Sequence, residues 1–347
     1  MAGWFTYFEY AFYLSMLCLT VPFNVEKEDA DFSEYIKKFN KSYDNETVFN
    51  LRLEAFKNSL NSINMMNRNR TNHSAYYGLT KFSDLLPEEF LSKHLSQIAQ
   101  NTINLDDDFS ESKHYSKRSA RRIPSKVDWR VQNVTTKIKN QHKCGACWAF
   151  SIIATVESMY AIKHGKLLDL SVQQMIDCST LNKGCDGGDL CRLLQWIKAN
   201  NIRIEGDDLY PLRLQNMQCI TNASLGIVDV EDYSCAQFID NEDVMLDLIA
   251  RLGPITVAVN AKTWQNYAGG IIQYHCDDNP LNMNHAVQLV GYDLTADVPH
   301  YIARNSWGED FGDEGYLYIA YGGNVCGVAN EFYYIHLYYI QNQRDGA

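Results

Sequence analysis

The string Gln141-His142-Lys143-Cys144-Gly145-Ala146-Cys147-Trp148 holds the residue types best suited to chemistry. Cys144 and Cys147 have the C-x-x-C spacing, which serves a redox pair, half of a zinc site, or a catalytic thiol beside a second cysteine. A zinc site wants a second close pair, and Cys178 and Cys185 stand too far apart to supply one. A redox fold wants a strand leading into the motif, and Lys137 to Lys143 is basic and polar. Spacing alone leaves all three readings open. Two downstream residues favour the nucleophile: His285 opens the apolar run Ala286-Val287, and Asn305 stands in Asn305-Ser306-Trp307-Gly308. An imidazole can take the thiol proton to give a thiolate–imidazolium pair, and a carboxamide can orient the second ring nitrogen. Gln141 can donate its amide, with the Cys147 backbone N–H, to the oxyanion of a tetrahedral intermediate.

Elements that could hold these residues follow from the apolar periodicity. A helix is expected to begin near Cys147, carry Ile152, Ile153, Val156, Met159 and Tyr160, and stop at His164-Gly165. That start places the thiol where unsatisfied amides and the helix dipole favour an anion. Ser171-Val172-Gln173-Gln174 reads as a capping box opening a second helix, and Leu190, Leu193, Leu194 and Ile197 mark a third. Beyond about residue 225 strands are expected at Ile255–Val259, Ala286–Val290, Tyr301–Ala303, Tyr316–Ile319 and Phe332–Ile340. A helical half thus precedes a β-rich half.

Ahead of both, residues 24 to 100 read as helical and free of cysteine. Asp31 and Ser33 are candidate caps for a helix bearing Phe32, Tyr35, Ile36 and Phe39, and Leu51, Phe56, Leu60, Ile63 and Met66 share the face of another. Residues 101 to 122 run from acidic Asp106–Asp108 to basic Lys117, Arg118, Arg121 and Arg122, with little apolar content. They read as an exposed linker open to processing.

The 347 residues exceed one comfortable core, so two or three packed units are expected. A formal charge of −11 argues against a general nucleic-acid binder. The apolar run Ala11 to Leu19 has the length of a signal-peptide core and is too short to span a bilayer. Of ten cysteines, all but Cys18 fall between 144 and 326, as in a disulfide-stapled secreted domain. Sequons begin at Asn40, Asn45, Asn69, Asn72, Asn133 and Asn222 and are glycosylation candidates.

Cys144-Gly145-Ala146-Cys147-Trp148 with a downstream His and Asn matches a known signature. On it the chain resembles the papain family, within that the cathepsin L-like branch, and most closely the viral cathepsins of baculoviruses. Val127-Asp128-Trp129-Arg130, Leu170-Ser171, Gly184-Cys185-Asp186-Gly187-Gly188, Tyr210-Pro211, Gly253-Pro254 and Gly291-Tyr292 match in order and spacing. The N-terminal zone resembles the family's inhibitory propeptide: Arg52, Phe56, Ile63 and Asn67 fall on one motif, with Val48 and Ser59 departing from it. Gly78-x-Thr80-x-Phe82-x-Asp84 fits a second, except for Thr80 in place of Asn.

The resemblance implies an α+β fold of two lobes, a helical one over about 133–230 and a β-barrel-like one over about 231–340. It implies a signal peptide at 1–22, an inhibitory propeptide at 23–122 that threads the cleft backwards, and a peptidase domain at 123–347. Cys147, His285, Asn305 and Gln141 would be catalytic. Gly187 and Gly188 would meet the substrate backbone, and Trp307 would adjoin the cleft. The pocket for the residue second from the scissile bond would be walled by Asp189, Leu190, Ala258, Met283 and Ala286, with Glu331 at its far end. Such a pocket would accept hydrophobic residues or Arg. Disulfides carried over are Cys144–Cys185, Cys178–Cys219 and Cys276–Cys326. Cys191 and Cys235 remain, either paired with one another or, the favoured reading, buried and free.

Expected partners are protein and peptide substrates and the chain's own propeptide; no cofactor, metal, nucleic acid or membrane span is expected. The viral resemblance implies retention in the endoplasmic reticulum of an infected cell, or a lysosome-like or extracellular site after release, and breakdown of host tissue. Two other function classes stay in play: a papain-like module that binds peptides without cutting them, and a thiol-disulfide oxidoreductase using Cys144 and Cys147. His142 stands where Gly is usual, Phe311 where a second Trp is usual, and the Tyr-rich tail after Phe332 has no functional account.

Overall fold

The computed structural model describes residues 25–68, 70–96, 123–239 and 241–337. The expected signal segment, Cys18, Asn69, the linker 101–122 and the end of the tail lie outside these residues.

Three helices form the N-terminal part: α1 (Val25–Lys38), α2 (Glu46–Asn67) and α3 (Pro87–His94). Because α1 starts at Val25, Asp31 and Ser33 are interior to it and cap nothing; they were expected to be caps. Asn45 is the N-cap of α2, its side chain accepting the Val48 N–H at 3.0 Å. Phe32, Tyr35 and Phe56 form a small buried aromatic core, with Phe32 and Phe56 centroids 5.1 Å apart. The two-residue strand β1 (Tyr76–Tyr77) follows α2, and Asn67 clamps it by donating to the Tyr77 carbonyl at 2.8 Å and accepting its N–H at 3.0 Å.

The rest of the chain opens with β2 (Lys126–Asp128) and the central helix α4 (Cys147–His164). Apolar residues surround α4 on every side, which is why it is buried. Gly165, at φ 66°, ends it in the left-handed conformation that glycine adopts freely. Helices α5 (Val172–Cys178) and α6 (Leu190–Ala199) pack against it. Only half of the expected capping box forms. Ser171 Oγ accepts the Gln174 N–H at 2.9 Å, but the Gln174 side chain turns away to the Arg203 carbonyl and the Glu205 N–H.

Strands β3 (Arg203–Ile204), β4 (Val228–Ala236), β5 (Ile255–Val259), β7 (Ile271–Ile272), β8 (His285–Asp293), β9 (His300–Arg304), β10 (Tyr316–Ala320) and β11 (Phe332–Leu337) form one sheet in the order β3-β4-β11-β5-β8-β9-β10-β7, with β2 paired to β8. The sheet is open, a correction to the barrel-like expectation. Helix α7 (Glu242–Arg251) lies in the expected β-rich half. Strand β6 (Tyr267–Gly269) pairs only with β1, so the N-terminal segment adds a two-stranded ladder to the domain behind it. Alternation along strands divides the core. Val287 and Leu289 join one cluster with α7 and β9, while Ala286 joins the other with α4, α5 and α6.

Among the described residues there are four disulfides: Cys144–Cys185, Cys178–Cys219, Cys276–Cys326 and Cys191–Cys235. The last overturns the reading of Cys191 and Cys235 as free thiols. Cys191 lies in the first turn of α6 and Cys235 on β4, and the packing of α6 on β4 brings them within disulfide reach. Among the described residues Cys147 is free, and no helix is long and apolar enough to cross a membrane.

Candidate active site

Cys147 is the first residue of α4, and His285 the first of β8. His285 Nε2 meets Asn305 Oδ1 at 2.8 Å, which leaves Nδ1 as the nitrogen able to receive a thiol proton. That Nδ1 is buried with no partner. The imidazole stacks on Trp307, centroids 4.6 Å apart, and meets the Trp264 edge at 6.1 Å. Phe311, in place of a second Trp, keeps an edge contact with Trp307 at 4.7 Å.

Backbone amides of Ala286, Trp148 and Cys147 act on the sulfur and favour its anion. That the Ala286 amide is among them sets the sulfur beside the start of β8. Gln141 is fully buried and fixed: its Oε1 accepts Ser306 Oγ at 2.6 Å and its backbone N–H donates to the Ser306 carbonyl at 2.8 Å. Its Nε2 donates to the Cys144 carbonyl at 3.0 Å and to the His94 carbonyl at 3.3 Å. His94 belongs to α3, so the N-terminal segment holds the donor that an oxyanion would use.

The same segment covers the groove. The Ser96 N–H donates to the Asn284 carbonyl at 2.7 Å, and the Gly188 N–H to Ser96 Oγ at 3.4 Å. Gly188 must be glycine, since a Cβ there would meet the Trp148 ring and Asn182 Oδ1 at 2.7 Å. Cys147 and His285 are fully buried. Burial pushes the thiol up to about 12 and the imidazole down to about 4, so both groups are neutral while the cleft is covered.

Docking of the segment rests on Phe82, whose ring meets His94, Phe90, Trp307 and Phe311 at 4.6 to 5.8 Å. Thr80, standing where Asn is usual, donates Oγ1 to the Gln265 carbonyl at 2.6 Å. Gln265 Nε2 in turn donates to the Phe82 and Leu85 carbonyls, and Lys81 reaches the Trp307 carbonyl and Asp310. Arg52 and Glu89 pair α2 with α3, and Asp84 accepts Tyr35, Lys41 and Tyr43. The Arg52 contacts hold the Glu89 carboxyl down at about 2.

The residues expected to wall the pocket lie as follows. Leu190, Ala258, Met283 and Ala286 share one core cluster, and Asp189 is the buried N-cap of α6, accepting the Arg192 N–H at 2.8 Å. Glu331 is half-buried and bonded to Tyr333 Oη. His142 is exposed at φ 46°, a left-handed conformation that explains why glycine suits the position. Sequence reasoning missed His94 and Tyr333. Neither sits in a motif: His94 matters through its contacts with the distant Gln141 and Phe82, and Tyr333 through its bond to Glu331.

Cys144 is bonded to Cys185, so no internal Cys144–Cys147 disulfide forms and the oxidoreductase reading falls. The fold and site together define a thiol hydrolase sealed by its own N-terminal segment. Residues 123–336 match the papain family cysteine protease model and residues 32–90 the cathepsin propeptide inhibitor domain, and the chain belongs to the papain family. It is 40% identical to human cathepsin O over 279 residues, 80% of this chain and 85% of that one. It is 37% identical to the viral cathepsin of Orgyia pseudotsugata multicapsid polyhedrosis virus over 332 residues, 91% of this chain and 96% of that one. Among solved structures it resembles a recombinant stem bromelain precursor, with TM-score 0.76 and 31% identity over 90% of this chain and 100% of that one. The digestive procathepsin L2 of Tenebrio molitor gives TM-score 0.79 at 26% identity, over 89% and 100% of the two chains. The protein is a cysteine protease zymogen.

Proposed function

We propose that Cys147 is the nucleophile and His285 its base in an endopeptidase that stays latent until the segment ending at Ser96 leaves the cleft. The observation that carries this is the His94 carbonyl on Gln141 Nε2, above a buried Cys147 and an Asn305-oriented His285. Once the cleft rehydrates, the thiol proton passes to His285 Nδ1. The thiolate adds to the scissile carbonyl, and Gln141 with the Cys147 amide holds the oxyanion. Collapse with proton donation from His285 expels the amine and leaves a thioester, which water deprotonated by His285 hydrolyses. Asn305 keeps the ring in place throughout.

Gly187 and Gly188 meet the substrate backbone, and Asp189, Leu190, Ala258, Met283, Ala286 and Glu331 form the pocket for the residue second from the scissile bond. Cleavage between 97 and 122 yields a mature chain beginning near Ile123. Four disulfides support passage through the secretory pathway. The sequons at Asn40, Asn45, Asn72, Asn133 and Asn222 are on exposed residues, which suits glycosylation there. The viral relatives favour release of the enzyme on cell lysis and breakdown of host proteins.

Acid incubation of the purified precursor with a fluorogenic Phe-Arg peptide, with and without an epoxide thiol trap, tests the reading. Trap-sensitive cleavage is expected. Silence at every pH rejects it and favours a peptide-binding module, and cleavage indifferent to the trap rejects Cys147 as the nucleophile.

A further inference from the structure

A lysine of the N-terminal segment is seated on the loop that follows Asn305. Lys81 Nζ lies 2.5 Å from both the Trp307 carbonyl and Asp310 Oδ1. The lysine side chain is 17% exposed and the aspartate 63%, so the ammonium is enclosed by more than its counter-ion. Gly308, at φ 84°, makes the room: a Cβ there would stand 2.8 Å from Asp310 Oδ1 and 3.2 Å from Lys81 Nζ. The body fixes this loop from behind. The Gly308 N–H donates to the Lys139 carbonyl at 3.1 Å, and Trp307 pairs with Asn140 in an isolated bridge. Lys81 itself fills a free position of Gly78-x-Thr80-x-Phe82-x-Asp84.

The course of the segment tells which side of the cleft this is. Ser96 reaches the Asn284 carbonyl and the Gly188 N–H, next to Met283 and Asp189. His94, just before it, covers Gln141 Nε2. Lys81 lies earlier in the chain, near enough to His94 for its charge to act on that imidazole. Trp307 stacks on His285, the group that hands a proton to the leaving amine, with centroids 4.6 Å apart. Ser96 thus marks the acyl side of the scissile bond and Lys81 the leaving-group side.

We propose that the Trp307 carbonyl and Asp310 form a cation subsite on the leaving-group side, filled by Lys81 in the zymogen and by a substrate Lys or Arg in the mature enzyme. This rests on the peptidase reading above and adds a substrate class, peptides with a basic residue downstream of the bond that is cut. When the segment leaves, Lys81 goes with it, and a carbonyl and a carboxylate are left facing the cleft. An ammonium or guanidinium satisfies both, the carboxylate by charge and the carbonyl by a hydrogen bond. Glu309, exposed beside Asp310, adds to the negative field. The exposure of Asp310 keeps the gain modest, because water screens such a pair.

The test uses the acid-activated full chain, with active sites counted by the epoxide thiol trap, and internally quenched peptides that share one acyl half. Lys, N-acetyllysine or Glu is placed in turn at the first, second and third positions after the scissile bond. In the wild type one position is expected to give kcat/KM roughly five-fold higher for Lys than for N-acetyllysine, with Glu lower still. Raising the salt from about 0.1 M to about 1 M should remove most of that preference. Asp310→Asn should bring the ratio to within about two-fold of unity, and Asp310→Lys should place Glu above Lys. The N-acetyllysine and salt comparisons use the wild type alone, so they decide the matter if the Asp310 variants do not fold. Equal cleavage of the three peptides at every position, or a Lys preference that neither salt nor Asp310→Asn reduces, overturns the proposal. A chain with no trappable thiol and no cleavage of any peptide instead rejects the peptidase reading.

Discussion

The enzyme body and the N-terminal segment are held by different means. The body has four disulfides and two large apolar clusters that meet along one sheet. The described part of the segment has no cysteine. Its own core is three aromatic side chains, and it docks by burying Ile63, Ala75, Tyr77, Phe82, Phe90 and Leu95 in one of the body's clusters, with a two-strand ladder and a set of polar and ionic contacts. Covalent closure and wide apolar burial hold through changes of pH. Ion pairs and buried imidazoles do not, because protonation alters their free energy directly. One half of the molecule is built to persist and the other to let go.

The sharpest test of this division is to remove the chemistry and leave both halves standing. Cys147→Ala should cut peptide cleavage by at least about 10⁴-fold. The thermal transition should hardly move, since the change is a small truncation of one buried side chain. Precursor that still matures by itself at acid pH would place the nucleophile elsewhere. Next in size is the docking anchor. Phe82→Ala empties a site ringed by Trp307, Phe311, Phe90 and His94 and should cost docking about 3–5 kcal/mol. The full-length variant is then expected to cleave peptide and take up the thiol trap at neutral pH, where the wild type is latent. Equal latency would mean that the remaining apolar contacts, Phe90 and Leu95 among them, and the polar contacts suffice.

A smaller effect probes the body. Replacing both Cys191 and Cys235 by Ala should lower its stability by about 2–4 kcal/mol, read by denaturant unfolding of the full chain. The neutral-pH latency should stay, because the bridge joins α6 to β4 and packs on the cluster that contains no residue of the docked segment. Lost latency would blur the division between the two halves.

The two halves also differed in how far they could be read from sequence. Cys147, His285, Asn305 and Gln141 could be proposed from the sequence because a thiol hydrolase demands those side-chain types, and the fold sets His285 on Asn305 and Gln141 on Ser306. Strands such as Ile255–Val259 were legible because burial on both faces leaves an unbroken apolar run. Helix α7 was not, because its apolar residues alternate with acids in a zone whose texture suggested strands. The Cys191–Cys235 pair was not, because pairing depends on α6 lying on β4, a long-range fact. In the segment, Phe82 and Asp84 could be placed by resemblance, but His94 could not. Nothing local distinguishes a histidine at a helix end from any other.

His94 gives the finest test of release. It is nearly fully buried, its Nδ1 has no partner, and its ring packs on Phe82 and Phe90. Burial lowers it to about 4, helped by the charges of Lys143, Lys81 and Lys41; the His142 carbonyl pulls the other way. A depressed folded value means the docked state binds the proton less well than the released state, whose value is near 6.5. The stability that His94 lends to docking is thus fully present above about 6.5 and is lost as pH falls toward 4, about 2 kcal/mol being gone at pH 5. Glu89, held at about 2 by Arg52, adds a second loss only as pH falls below about 4.5. His94→Leu keeps the packing and removes the first titration. Uptake of the thiol trap by the full chain should then begin about one pH unit lower than in the wild type and retain the steeper rise below 4.5. Coincident profiles for the two proteins would assign acid release to the Arg52–Glu89 pair and its neighbours, and leave His94 as packing alone.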